Sequence, residues 1–164
     1  MEVRKIWFIF VQIIHLNCMK KNLLPAFLLL TGCQTGETGD LSGTYRLLHS
    51  MTVKGTDTTY ATVDTSKTEM LKMFNSSHFS FFNHDKSKGG DSLNRLFVSG
   101  AGTYTLKGDK YTENLDFLNY RDWEGKPFHF KLEVRGDTLI QTGEEVIPEL
   151  GINQTIRETY VKVK

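Results

Sequence analysis

The sequence predicts an all-β fold, a single up-and-down barrel of about eight or nine antiparallel strands. Short runs of β-favouring residues alternate with turn residues from Leu41 to the end of the chain. Two Gly-Asp pairs, at 108–109 and 136–137, each separate two such runs, which indicates compact hairpins. Apolar and polar residues alternate from Phe128 to Arg135, which is typical of a strand with one buried face. Closure into a barrel is favoured because it removes exposed sheet edges.

The first half of the domain contains a group of strands that are separated by short turns. They are predicted at Gly43–Lys54, Thr58–Val63, Lys67–Phe74 and His78–Asn83. In the first strand, alternate residues from Tyr45 through His49 to Val53 share one face. The segment Thr65–Phe74 has an alternative, a short amphipathic helix, because its apolar residues also fit helical spacing.

The second half opens with a loop and continues with clearer strands. Residues 83–95 are polar with two central glycines, so we expect a loop there. Strands are predicted at Phe97–Leu106, Lys110–Leu118, Phe128–Arg135, Thr138–Thr142 and Thr155–Val163. A chain of 164 residues has room for one ordinary domain.

The N-terminal region is predicted to be a targeting signal rather than part of the folded domain. Lys20 and Lys21 precede an apolar run over 23–30, and small residues then lead to Cys33, which is the layout of a secretory signal. The final Leu-Thr-Gly-Cys resembles the lipobox of bacterial lipoproteins. This resemblance implies that Cys33 is lipidated and holds the protein to a membrane. A transmembrane helix is the competing interpretation, but the apolar run is too short for the about 20 residues that a span needs.

Four regions follow from this interpretation. Residues 1–18 are an over-extended start or an extra leader, and Met19 is the expected first residue. Residues 19–32 form the signal peptide, 33–41 the lipidated cysteine with a flexible polar tether, and 42–164 the barrel domain. The expected location is the bacterial cell envelope, at the outer membrane or the periplasmic face.

Charge and cysteine content exclude some function classes. The formal net charge is +1, whereas a nucleic-acid-binding domain usually has a strong basic excess. Both cysteines, Cys18 and Cys33, precede the domain, so the domain has neither a disulfide nor a thiolate metal site. His78 and His84 lie on a strand and the following loop, a spacing that does not indicate a metal site. We therefore predict no nucleic-acid partner, no metal and no cofactor.

Segments spread along residues 42–164 resemble the lipocalin-like domains of bacterial lipoproteins, a family without an established function. They are Gly43–Leu47, Lys72–Phe74 with His78–Phe81, Gly100–Tyr104, Tyr111–Glu113 and Glu158–Lys162. The resemblance implies a barrel and a lipid anchor. Tyr45 stands where the lipocalin opening has Trp, and Lys162 stands where Arg is usual. The Trp–Arg packing pair of classical lipocalin barrels is thus replaced by Tyr and Lys.

Polar side chains within apolar alternation are the candidate ligand-binding residues, because burying them requires a partner. Glu113 and His49 are both in register with apolar residues of their own strands. If these faces point inward, both side chains reach the polar group of a ligand. Arg157 is also a candidate ligand-binding residue. The alternative for Glu113 is an internal ion pair, for example with Arg157, or a place at the rim. Tyr104 and Trp123 are candidates to line the cavity or its mouth, with ordinary core packing as the alternative.

The chain has no recognisable catalytic motif. It has no Gly-x-Ser-x-Gly elbow, no phosphate-binding loop, no His-Glu-x-x-His and no cysteine nucleophile in the domain. We therefore predict that the protein is not an enzyme.

Two functions remain. The first is the binding of a small apolar or amphipathic ligand inside a membrane-anchored barrel. The second is an interaction, inhibitor or assembly role with an envelope protein, through loops 83–95 and 144–153. The second function predicts a filled barrel with an exposed apolar patch. The patch is expected at Val146, Ile147, Leu150 and Ile152.

Overall fold

The computed structural model describes residues 40–164. They form nine antiparallel strands, of which eight close into a barrel and one lies beside it. This confirms the predicted all-β barrel. The strands are β1 Gly43–Lys54, β2 Asp57–Thr62, β3 Thr68–Phe74, β4 His78–Asp85, β5 Phe97–Lys107, β6 Lys110–Leu118, β7 Lys126–Arg135, β8 Thr138–Ile147 and β9 Ile152–Lys162. The predicted leader, signal peptide and lipidation site at Cys33 lie outside the described residues.

Strand order in the sheet follows chain order with one exception. Each strand from β3 to β8 pairs with the next, and β1 closes the barrel by pairing with β3 on one side and β9 on the other. β2 pairs with the second half of β1, from His49↔Thr62 to Lys54↔Asp57. Every residue of β2 is exposed. β2 therefore extends beside the barrel and adds nothing to its core.

The segment with a helical alternative is a strand. β3 pairs residue by residue with β4, and its buried residues, Lys72 and Phe74, are separated by one half-buried residue. This alternation is the period of a strand with one face inward. Across residues 40–164, the helical segments lack the length and the apolar character that crossing a membrane requires.

The hairpin of β8 and β9 is longer than the sequence predicts. β8 continues past Thr142 to Ile147, and β9 begins at Ile152 rather than at Thr155. A 3₁₀ turn at Pro148–Leu150 joins the two strands. The run Gly-Glu-Glu after Thr142 is poor in β-favouring residues, which hid this part of the strand.

The two ends of the barrel differ. At the turn end, the tight turns at 75–77, 108–109 and 136–137 lie beside the start of β1. The longer connections 86–96, 119–125 and 148–151 lie at the loop end. The described chain therefore begins at the turn end.

Aromatic side chains fill the turn end. The Phe74 ring makes edge-on contacts with Tyr45, Tyr104 and Tyr111, with ring centres 5.7, 5.6 and 6.1 Å apart. Such pairs add stability beyond the area that they bury. The Nζ atom of Lys162 lies 5.6 Å from the ring centre of Tyr45, its partner in the β1–β9 register. The rings of Tyr45, Phe74, Tyr104 and Tyr111 form the aromatic plug, which closes this end of the barrel.

A β-bulge changes the register of β5 and β6. The register shifts between Ala101 and Gly102. A Cβ on Gly102 would lie 1.8 Å from the backbone oxygen of Asn114, so the two backbones approach closely. The extra residue in β6 allows Leu115 and Leu118 both to be buried, although they are three positions apart. The bulge thus sets which side chains line the interior near the loop end.

Candidate ligand-binding cavity

A cavity of about 290 Å³ lies inside the barrel toward the loop end and is partly open to solvent. Its size is close to the lower limit of small-molecule sites, which range over roughly 300–1,000 Å³. The apolar part of its lining comes from β3, β4, β5, β6 and β9. These residues are Met70, Phe81, Val98, Leu115, Leu118 and Ile156.

Polar side chains form the floor of the cavity, above the aromatic plug. The Lys72 ammonium donates hydrogen bonds to Glu113 Oε1 and, at 2.8 Å, to Gln141 Oε1. The exposed fractions of Lys72, Glu113 and Gln141 are 3%, 7% and 2%. The same ammonium lies 5.3 Å from the ring centre of Phe79. Because buried charges require partners, Lys72 and Glu113 neutralise each other, and Gln141 completes the contact.

Two further carboxyl groups line the cavity, and neither forms a salt bridge with another described residue. Glu158 accepts a hydrogen bond from the Tyr160 hydroxyl at 2.6 Å, and Glu145 accepts one from the Gln154 amide at 2.7 Å. Burial raises the pKa of both carboxyl groups, and the negative charge of Glu113 raises it further. The cavity therefore holds more acidic than basic groups.

Three stacked rings form a second part of the lining, here called the aromatic wall. Trp123 lies on Phe128 at 5.9 Å and 29°, and Phe128 lies on Phe130 at 6.5 Å and 19°. The 3₁₀ turn Arg121–Trp123 holds the half-buried indole at the loop end. The wall follows β7 from the mouth of the cavity into the interior, so a flat or apolar group has a continuous surface to contact.

The hydroxyl of Tyr111 is a buried polar group beneath the cavity. It has no hydrogen-bond partner among the described residues. Burial raises the pKa of this phenol far above its usual range. Tyr111 therefore remains neutral, and its hydroxyl carries a cost that the aromatic packing of the ring offsets.

The structure places Glu113 and Trp123 at the cavity and Tyr104 away from it. Glu113 faces inward from β6, and its ion-pair partner is Lys72. Tyr104 belongs to the aromatic plug and donates its hydroxyl to the backbone oxygen of Asn75 at 2.7 Å. Burial raises the pKa of Tyr104. Of these three candidates, Glu113 and Trp123 are in a position to contact a ligand in the cavity.

His49 and Arg157 lie on the outer surface. The register of β1 shifts between Leu47 and His49, and this bulge turns the imidazole outward. His49 is exposed, and its Nδ1 lies 3.2 Å from Thr62 Oγ1. Arg157 is exposed on β9, so the suggested ion pair between Arg157 and Glu113 is not formed. The prediction that His49 points inward is therefore wrong, because the bulge turns its side chain outward.

Sequence reasoning missed four charged or amide residues of the cavity. They are Lys72, Gln141, Glu145 and Glu158. Lys72, Gln141 and Glu158 lie in an alternating pattern with apolar residues, the same signal that singled out Glu113, whereas Glu145 lies in the part of β8 that was not predicted as a strand. For Lys72 the signal was masked because Met70 and Phe74 also fit helical spacing.

The apolar patch expected around β8 and β9 is divided between surface and interior. Ile147 is fully buried and Ile152 is half-buried, whereas Val146 and Leu150 are 48% and 39% exposed. The four residues therefore do not form one exposed surface.

The loop predicted at 83–95 lies at 86–96 and is organised by one carboxylate. Asp85 accepts hydrogen bonds from the Ser87 hydroxyl and from the backbone N–H groups of Gly89 and Leu96. These bonds hold the pKa of Asp85 well below its usual range. The loop is thus fixed to the end of β4.

Within residues 40–164, no group of three or more His, Cys, Asp or Glu side chains is placed to hold a metal ion. Comparison of the sequence with models of known protein families and with curated proteins gives no match. The cavity is the feature from which a function follows.

Proposed function

We propose that this protein is a lipid-anchored barrel of the bacterial cell envelope that binds a small apolar or amphipathic molecule. The observation that carries the proposal is the cavity of about 290 Å³ inside the barrel. An eight-stranded barrel is just wide enough to be filled by side chains or to hold one small ligand. Here the aromatic plug fills the turn end, and the space toward the loop end is left unfilled.

The lining supports this proposal because it combines apolar surface with a few converging polar groups. Such a combination is typical of small-molecule sites, where apolar contact gives affinity and polar groups fix orientation. The aromatic wall and the apolar side chains surround the space, and Glu113 and Glu158 face it from β6 and β9.

The lipid-anchor part of the proposal rests on the resemblance of Leu30-Thr31-Gly32-Cys33 to a lipobox. Within the described residues, the chain begins at the turn end of the barrel, and the cavity lies toward the opposite end.

The contact between Tyr45 and Lys162 supports the lipocalin-like part of the proposal. The resemblance assigns these two residues to the positions of the Trp–Arg packing pair. Lys162 lies over the Tyr45 ring, and its side chain also passes over Gly43, where a Cβ would lie 2.7 Å from Lys162 Cε.

Native mass spectrometry with organic extraction, applied to the full-length chain purified from its own host, tests the proposal. A stoichiometric small molecule is the expected result. Leu118→Trp fills the cavity and should remove this molecule, whereas Phe117→Trp on the exposed neighbour should retain it. Met70→Trp provides a second filling variant if Leu118→Trp does not fold. Retention of the molecule by folded filling variants, or its absence from the wild type together with failure to bind any hydrophobic dye, contradicts the proposal.

An interaction role is the second candidate, and one observation favours it. Phe82, Phe97 and Phe117 on β4, β5 and β6 are 42%, 60% and 68% exposed. Exposed aromatic side chains on neighbouring strands are typical of protein-binding surfaces. Cross-linking in intact cells from a photoreactive residue at Phe117 should capture one defined partner, and the same residue at exposed Thr105 is the control.

A further inference from the structure

We propose that the cavity selects an organic cation, an amine or ammonium compound with an apolar body. This inference rests on the proposed ligand-binding function and names the chemical class of the ligand. Three features of the cavity carry it: its unbalanced carboxyl groups, its aromatic wall and the amide nitrogen of Gln141.

The first feature is the balance of charge at the cavity. Lys72, Glu113, Glu145 and Glu158 all line it. The ion pair with Glu113 uses the Lys72 charge, and the remaining two carboxyl groups have hydrogen bonds from neutral partners alone. A cation inside the cavity would supply the missing counter-charge, because partly buried charges interact more strongly than charges in water.

Neighbouring cationic side chains are engaged elsewhere. Lys126 forms a salt bridge with Glu149, and Lys162 lies over the ring of Tyr45 at the turn end. Arg157 is exposed on the outer face of β9. In this structure none of the three lines the cavity.

The second feature is the aromatic wall beside these carboxyl groups. Trp123, Phe128 and Phe130 line the same cavity as Glu145 and Glu158. The faces of aromatic rings attract cations, and organic ammonium ions are recognised in this way. The rings also offer apolar surface to the body of the ligand. A bare metal ion would not use this surface, and the carboxyl groups do not form a metal-binding cluster.

The third feature is Gln141, which is 2% exposed and lines the cavity. Its Oε1 accepts the hydrogen bond from Lys72, which fixes the orientation of the carboxamide. Its nitrogen donates no hydrogen bond to another described side chain. This donor would suit an oxygen near the cationic group of the ligand.

An anionic ligand fits the cavity less well. Lys72 is already paired, and a carboxylate would approach Glu113, Glu145 and Glu158. Like charges at such a site oppose binding. The cavity therefore distinguishes ligands by the sign of their charge.

Three probes with the same apolar body test this inference: naphthylmethylammonium, naphthylmethanol and naphthylacetate. Calorimetry on the full-length chain in detergent, with protein-free detergent as the blank, measures each dissociation constant. We expect the ammonium probe to bind about tenfold more tightly than the alcohol, and the acetate to bind most weakly. Affinity for the ammonium probe should increase as pH rises, because the carboxyl groups must ionise to pair with it.

Variants that remove one carboxylate show which residue causes the preference for the ammonium probe. Glu158→Gln and Glu145→Gln should each reduce the preference for ammonium over alcohol, measured as the ratio of the two dissociation constants. Glu144→Gln, at the exposed neighbouring position, is the matched control. Equal binding of the three probes, or preference for the acetate, overturns the inference and leaves the proposed function standing. Failure of all three probes to bind, with no cargo on the purified protein, overturns both.

Discussion

Lys72 in β3 and Glu113 in β6 form an ion pair across the interior of the barrel, although two strands separate β3 from β6 in the sheet. Gln141 in β8 joins the same ammonium group. The Lys72 ammonium group thus links β3 to β6 and β8 inside the barrel. Breaking the pair from either side leaves a buried charge without its partner.

The variant Lys72→Met should therefore destabilise the protein by about 3–5 kcal/mol, because it leaves Glu113 uncompensated. The double variant Lys72→Met with Glu113→Leu should recover most of this loss, since both charges are then removed. Urea unfolding of the wild type, the two single variants and the double variant measures the coupling. Additive effects in the double variant would contradict the coupling that the structure indicates.

Two buried tyrosines should respond differently to loss of the hydroxyl. Tyr111→Phe removes a group without a hydrogen-bond partner, so stability should stay the same or increase. Tyr160→Phe removes the donor to Glu158 and should cost about 1–3 kcal/mol. Thermal unfolding of both variants gives the comparison. A larger loss for Tyr111→Phe than for Tyr160→Phe would contradict the assigned contacts.

Stability should depend on pH through Glu158. Burial raises its pKa in the folded state, against the opposing effects of Lys72 and Tyr160 and with a contribution from Glu113. Its favourable contribution is therefore complete below the unfolded pKa and is lost as pH rises through the folded pKa. Glu158→Gln lacks this titration. The stability of this variant relative to wild type should increase as pH rises above 4.5, the pKa of an unperturbed glutamate.

The difference between the two proteins is the quantity to measure, because Glu145 also has a raised pKa and remains in both. Urea unfolding at each pH gives this difference. A constant difference across the range would show that Glu158 ionises as freely in the folded chain as in the unfolded one.

Alanine at two glycines tests the bulge between β5 and β6. Gly102→Ala places a Cβ against the backbone oxygen of Asn114, where the available distance is 1.8 Å. We expect a loss of about 3 kcal/mol or more. Gly108→Ala is the control, because a Cβ there meets nothing within 4 Å. The only cost in this variant is that alanine must adopt the left-handed backbone at φ +63°. Its loss should be about 1 kcal/mol. Similar losses at the two positions would argue against the close approach.

Local pattern predicts the strands well where turns are marked by Gly-Asp pairs. β6 has its predicted bounds, and β5 ends one residue later than predicted. β8 was predicted too short because its second half includes Gly143 and two glutamates, which are poor strand formers. Those glutamates are held in the strand by pairing with β9, a contact that no local pattern contains.

The candidate site also depends on contacts between distant strands, which local sequence patterns do not contain. Glu113 was found because it interrupts apolar alternation, but its partner Lys72 lies in a distant strand that only the closed barrel brings near. His49 was assigned to the interior because alternation was assumed to continue along β1. The register shift after Leu47 ends that alternation, and a one-residue shift reverses the direction of every later side chain.

The pairing of β1 with β9 also determines when the protein can acquire its final shape. Tyr45 opposes Lys162, near the two ends of the described chain. Bringing distant segments together is slow because loop-closure entropy opposes it. β1 finds this partner only after β9 has been synthesised, so in a chain that ends before Ile152 the facing edges of β1 and β8 are unpaired. Synthesis of β9 is thus a condition for closure, and shorter chains present edges that favour aggregation.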